Sequence, residues 1–128
     1  MKSLISAGYI IASILSSDET LLGLGITDVF PTVLEKEAVL PYISYQRTGM
    51  SQQTVKTGMG ADTAQITISC FAAEYEDSLE IAEAVRAALD GKQATYEDMR
   101  MRSCFLDGGS EDWADDAYIQ ELVFNVKI

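Results

Sequence analysis

The pattern of hydrophobic and polar positions changes period once near the middle of the chain. Ala64, Ile66, Ile68, Cys70 and Ala72 alternate with Thr63, Gln65, Thr67 and Ser69. A period of two places one set on each face of a half-buried strand. After Tyr75 the repeat becomes helical. Leu79, Ile81, Ala82, Val85, Ala88 and Leu89 form an apolar stripe, opposed by Glu76, Asp77, Glu80, Glu83, Arg86 and Asp90. Glu76 and Asp77 suit the positive end of that helix, and Gly91 supplies a C-terminal cap. A strand running directly into an amphipathic helix gives a core to which other elements add.

Residues 3–15 predict a first helix, with Leu4, Ile5, Gly8, Ile11, Ala12 and Leu15 on one face and Ile10 and Ile14 widening it. A short turn through Leu21 and Leu22 follows, capped by Ser17 or Asp18 and closed by Gly23 and Gly25. Val29, Phe30 and Pro31 read as extended, because residues before proline avoid the helical region. Residues 35–37 read as a solvated turn and residues 39–47 (VLPYISYQR) as a strand, with Pro41 at its start or on an edge. Residues 49–60 (GMSQQTVKTGMG) lack apolar periodicity and predict a long hairpin loop. Residues 96–106 predict a strand with Met99, Met101, Ser103 and Phe105 on one face. The acidic stretch 107–116 (DGGSEDWADD) predicts a loop. Residues 118–128 predict a closing strand with Leu122, Phe124, Val126 and Ile128 on one face, antiparallel to 99–106.

At 128 residues and 48% hydrophobic content, the sequence predicts one domain spanning 1–128. No apolar run approaches the roughly 20 residues that span a bilayer, so no membrane partner is expected. The N-terminal MKSLISAGYIIASILSS carries Ser6, Gly8, Tyr9 and Ser13 within its apolar stretch, and fits an amphipathic helix better than a signal peptide. The formal net charge is −11, with nine Lys and Arg against twenty Asp and Glu. Nine cations are too few for a protein that grips DNA by counterion release. An acidic surface remains compatible with DNA passing by without specific binding.

The chain has no histidine. That removes the commonest general base and zinc ligand, and the usual partner of a serine or cysteine nucleophile. Cys70 and Cys104 lie in predicted strands without metal-like spacing and read as reduced core thiols, with a disulfide between them as the lesser alternative. Glu76, Glu80 and Glu83 share a helical face, as paired-acid catalysis would need, but acidic outer faces are routine. Asp107, Glu111, Asp112, Asp115 and Asp116 crowd around Trp113 without the spacing of a calcium loop. A solvated acidic hairpin with a packed or interface tryptophan is the stronger reading. Gly58-Met59-Gly60 lacks the further glycine and Lys-Ser/Thr of a phosphate loop. No catalytic, cofactor or metal residues are therefore proposed, and the chain is not read as an enzyme. The candidate contact loops are Met50, Gln52, Gln53, Val55, Lys56 and Met59, and secondly Asp112 with Trp113. Methionine suits adaptable protein contacts.

In order, the elements resemble the phage tail-completion family, which includes the tail terminators of long-tailed phages. The resemblance rests on the short N-terminal helix before Asp28-Val29-Phe30-Pro31 and on the proline-tyrosine strand Leu40-Pro41-Tyr42-Ile43-Ser44-Tyr45-Gln46-Arg47. The glycine-framed polar loop, the strand Gln65-Ile66-Thr67-Ile68-Ser69-Cys70-Phe71-Ala72, the tyrosine-led helix from Tyr75 to Leu89 and two closing strands complete it. The acidic stretch 107–116 departs from the family's usual pattern. The resemblance implies an α+β fold: an antiparallel sheet of four to five strands with two helices packed on one face, in the order α-β-β-α-β-β. It implies a structural virion protein, assembled in the host cytoplasm, that forms a ring of six copies on the head-proximal end of the tail tube. Its implied partners are itself, the tail tube protein and the head connector or neck protein, with no cofactor. A head-to-tail neck adaptor of related fold is the second expectation, and a small cytosolic ligand-binding module or enzyme the third. Besides the contact loops, residues 29–39 are expected to offer a further contact surface.

Overall fold

The computed structural model describes residues 4–31, 39–55 and 58–128, with the side chains of Leu4 and of residues 52–62 outside that description. A 3-10 turn, Leu4–Ser6, leads into α1 (Gly8–Ser17) and the short α2 (Glu19–Gly23). β1 (Val29–Pro31), β2 (Tyr42–Val55) and β3 (Gly58–Ala72) follow, then α3 (Tyr75–Leu89). The chain ends with β4 (Ala94–Tyr96), β5 (Met99–Met101), β6 (Ser103–Ala114) and β7 (Ala117–Lys127).

The fold is α+β. Five strands form one sheet in the order β1-β2-β3-β7-β6, and β4 pairs with β5 in a separate small sheet. The large sheet is mixed rather than purely antiparallel, because β1 runs parallel to β2 through Val29↔Ile43, Phe30↔Ser44 and Pro31↔Tyr45. The alternation read in β3 holds: Ala64, Ile66, Ile68, Cys70 and Ala72 are all buried. Their partners on β7 include Phe124 and Val126, also buried. α3 packs on β3 and β7, while α1 packs on β2 and on α3. Ile10, Ile11 and Leu15 of α1 meet Ile81, Val85 and Leu89 of α3 over that face in one hydrophobic cluster.

Both helices sit a little differently from their sequence stripes. Leu79 is 38% exposed and Ile5 63% exposed. On α3 the small Ser78 and Ala84 are buried instead, and small side chains let a helix approach the sheet closely. Ser78 can be buried because its hydroxyl donates to the Tyr75 carbonyl at 2.6 Å. Gly91 takes φ +77° just beyond the helix, as a C-terminal glycine should, and its N–H reaches the Cys104 carbonyl.

Three sequence expectations are corrected. Residues 49–60 are not a loop, since β2 runs to Val55 and β3 starts at Gly58, with Thr54↔Met59 and Val55↔Gly58 paired. The ladder is made by the backbone, which needs no apolar alternation. Residues 107–116 are likewise strand up to Ala114, paired with β7, and only Asp115 and Asp116 turn. Residues 96–106 are not one strand. Met99 and Met101 are buried in β5, the chain breaks at Arg102, and burial resumes out of phase at Cys104, which leaves Phe105 58% exposed. The predicted turn at residues 35–37 lies outside the described residues.

Candidate functional site

The chemistry-bearing side chains are not gathered into a reaction centre. Glu76, Glu80 and Glu83 are exposed along the outer side of α3. Cys70 and Cys104 are buried and free. Burial pushes both thiols up to about 12, with Asp90 adding to the effect at Cys104, so the thiolate is scarce at neutral pH. Cys70 lies opposite Gln120 and Cys104 opposite Val126 on the intervening strand β7. Six residues of β7 separate those levels, roughly 20 Å at about 3.3 Å per residue, which is far beyond disulfide reach. Among the described residues, no group of three or more Cys, Asp or Glu side chains is arranged to hold a metal ion.

What the fold does present is open sheet edge. β6 is the last strand of the large sheet and pairs only with β7. Its residues from Asp107 to Ala114 are all exposed. At the other edge, β1 covers β2 only at Ile43, Ser44 and Tyr45, so β2 from Gln46 to Val55 has no outer partner among the described residues. Edge strands of this length expose unpaired N–H and C=O groups that another chain can complete. The two edges differ in charge. β6 carries Asp107, Glu111 and Asp112 and no cation, while the open part of β2 carries Arg47 and no carboxylate.

The two expected contact segments lie at opposite ends of the sheet. β7 pairs β3 only from Thr63 to Ala72, so from Asp62 to Gly58 β3 pairs with β2 alone as a two-stranded arm. Met50 is 54% exposed opposite Ala64 near the root of this arm. Gln52, Gln53, Val55 and Met59 belong to the arm by backbone, and Gln53 falls at a register shift. Their side chains, and Lys56 entirely, lie outside the described residues. Asp112 and Trp113 instead sit near the β6–β7 turn at the far end, paired with Ile119 and Tyr118. Trp113 is 55% exposed, so it is not packed into the core. Of residues 29–39, expected as a further surface, 32–38 lie outside the described residues. Pro31 lines a cleft of about 240 Å³ with Ile5, Gly8, Tyr9, Tyr45 and Arg47.

A polar network absent from the sequence reading fixes the acidic end. The Tyr75 hydroxyl donates to Glu111 at 2.9 Å, and Gln120 Nε2 donates to the same oxygen at 3.0 Å and to Ser78 at 3.3 Å. These hydrogen bonds hold the Glu111 carboxyl below its usual range, Gln120 contributing most. The available sequence signal was Gln120 itself, a polar residue in the buried phase of β7 between Leu122 and Tyr118. On the sheet face opposite the helices, Phe71 stacks on Tyr42 at 4.6 Å and Phe30 meets Tyr42 edge-on. Burial pushes the Tyr42 phenol up, and the Asp115 carboxylate adds to it, which sets the acidic turn beside this aromatic corner.

A family model described as "Tail completion protein gp17" matches residues 10–128. The chain belongs to the tail completion protein family. It is a structural component of the virion tail and not an enzyme. The fold agrees with a solved chain from "Virion of native gene transfer agent (GTA) particle", at 22% identity, 98% coverage of both chains and a TM-score of 0.82. No curated protein matches the chain. Among the described residues, no helix is long and apolar enough to cross a membrane.

Proposed function

We propose that this tail completion protein closes head to tail into a ring that caps the head-proximal end of the tail tube. The cap ends tube polymerisation and offers a surface to the head connector or neck protein. Six copies is the number that the family resemblance implies. The reading is carried by one observation: the same sheet has long open edges on its two opposite sides, β6 from Asp107 to Ala114 and the outer part of β2. Different surfaces on opposite sides favour a heterologous contact, which forms a ring when the rotation closes. Like edges repel, since β6 against β6 would set carboxylates on carboxylates, whereas β6 against β2 brings Asp107, Glu111 or Asp112 toward Arg47.

The arm at residues 50–62 is the candidate contact with the tube or with the next copy. DNA crosses such a ring during ejection, and a net charge of −11 keeps phosphates from adhering to its wall. Deleting the gene from a phage or prophage that carries it tests the role. Tails longer than normal are the expected result. Tails of normal length that fail to join heads would point instead to a neck adaptor.

A further inference from the structure

The charges of this chain are sorted along the β6–β7 ribbon. Between Ser103 and Val126 it carries Asp107, Glu111, Asp112, Asp115, Asp116 and Glu121, and no lysine or arginine. At the open end of the same ribbon the sign reverses. Arg102 and Lys127 flank it, with the Arg102 N–H on the Lys127 carbonyl at 2.7 Å, and Arg100 and Lys92 lie close by in sequence on β5 and just after α3. A cleft of about 680 Å³ opens here, lined by Gln93, Arg100, Arg102 and Ile128. Among the described residues the only ion pair is Arg86 with Asp90, at 3.7 Å. Arg100, Arg102, Lys92 and Lys127 therefore have no carboxylate partner, although Glu97 and Asp98 stand in the β4–β5 turn.

We infer that this cleft receives the acidic β6–β7 turn of a second copy, with Asp112, Asp115 and Asp116 of the incoming turn meeting Arg100 and Arg102. Guanidinium groups bind carboxylates through paired hydrogen bonds, and two of them lining one cleft suit a turn bearing adjacent carboxylates. The turn has the shape to enter. It is a two-residue turn, with Asp115 at φ 52° and Asp116 at φ 62°, and so narrow that Ala114 already pairs with Ala117. Cleft and turn stand at opposite ends of an antiparallel ribbon, roughly 35 Å apart at about 3.3 Å per residue, so one copy cannot satisfy itself. Nor can two copies meet symmetrically through either end, since that would set like charges together. A head-to-tail order pairs every cleft with a turn and closes as a ring or runs on as a filament, whereas a two-fold pair with antiparallel ribbons would stop at two copies, an outcome that sedimentation distinguishes. The inference rests on the ring reading above and gives that ring an end-to-end ionic contact in place of the edge contact of β6 with β2. A nucleic-acid backbone is the other polyanion that suits such a cleft, but two arginines in a chain of net charge −11 form a weak counterion surface.

Two opposite charge reversals in the full chain test it: Arg100→Glu with Arg102→Glu at the cleft, and Asp112→Lys with Asp115→Lys at the turn. Asp115→Asn with Asp116→Asn serves as a second turn variant, because asparagine tolerates the left-handed backbone. Circular dichroism and cooperative unfolding establish that each variant folds. Sedimentation velocity over a concentration series then reads self-association in low salt and in about 0.5 M salt. The expected result is that either reversal alone weakens association by roughly tenfold or more, as does high salt for the wild type. An equimolar mixture of the two reversals should recover assembly, since a ring with an even number of copies can alternate them. A wild type that stays monomeric throughout, reversals that leave association unchanged, or a mixture that fails to recover it would each overturn the contact. So would a cleft reversal that abolishes retention of duplex DNA while association is untouched. Tail length in the deletion strain separates the two readings. Overlong tails together with unaffected reversals would leave the capping role standing and remove only this contact.

Discussion

Gln120 donates from Nε2 to the Glu111 carboxylate at 3.0 Å, across the β6–β7 register position that the two residues share. The Tyr75 hydroxyl reaches the same oxygen from the first turn of α3. Glu111 thereby ties the edge strand to the helix, and the exposed acidic ribbon is held in place by a side chain of its own.

That arrangement has a pH signature. The hydrogen bonds from Gln120 and Tyr75 lower the Glu111 carboxyl in the folded state. Their contribution is therefore fully present above the unfolded carboxylate value of about 4.3 and is lost as pH falls through the lower folded value. The same bond raises the Tyr75 phenol, so its contribution is present below about 10 and is lost as pH rises through the folded value. Thermal melts of wild type and Tyr75→Phe should differ by a constant amount in the neutral range, and the difference should shrink toward both acid and alkali. Phenylalanine keeps the ring contact with Tyr118, so a difference that persists unchanged into strong acid would show that the hydroxyl does not act through the Glu111 carboxylate.

Gly109 is the position where β6 tolerates no side chain. A Cβ there would lie 2.9 Å from the Glu121 carbonyl oxygen and 3.3 Å from Leu122 Cδ2. Gly109→Ala must push the edge strand away from β7 and should cost about 1–3 kcal/mol in denaturant unfolding. Phe124→Ala, in the core beneath, should cost about 3–5 kcal/mol. Trp113→Ala, at an exposed position, should stay within about 0.5 kcal/mol while weakening assembly.

The cysteines should be inert in the folded chain. With both thiols at about 12 and buried, a thiol reagent at pH 8 should label neither Cys70 nor Cys104 until denaturant is added. Rapid labelling of the native protein at either site would mean that β3 or β6 opens readily.

Removing matched lengths from both strands of the arm, between Met50 and Ala64, should leave a cooperatively folding subunit. The core beneath the helices begins at Ala64, where β7 joins the sheet. Assembly should weaken, as sedimentation would register. Loss of cooperative unfolding would show that the arm belongs to the core.

β3 and α3 were legible because each buries one side only: Ile66 and Ile68 alternate with Thr67, and Ile81, Val85 and Leu89 recur at helical spacing. The outer half of β6 and the arm were not, because an edge strand exposed from Asp107 to Ala114 has no inner face to print a period. The strand predicted over residues 96–106 failed because the buried phase slips between Met101 and Cys104, where the single residue Arg102 separates two sheets. Of the candidate contact residues, Met50 and Trp113 are exposed as a contact would need. The basic cleft was invisible because only the fold brings Gln93 and Ile128 beside Arg100 and Arg102.

The most direct test of the account is electron microscopy of the purified protein mixed with isolated tail tubes. Rings should seat on one end of the tubes, which should no longer elongate when free tube protein is added. Tubes that bind no ring at their ends and continue to grow would contradict it.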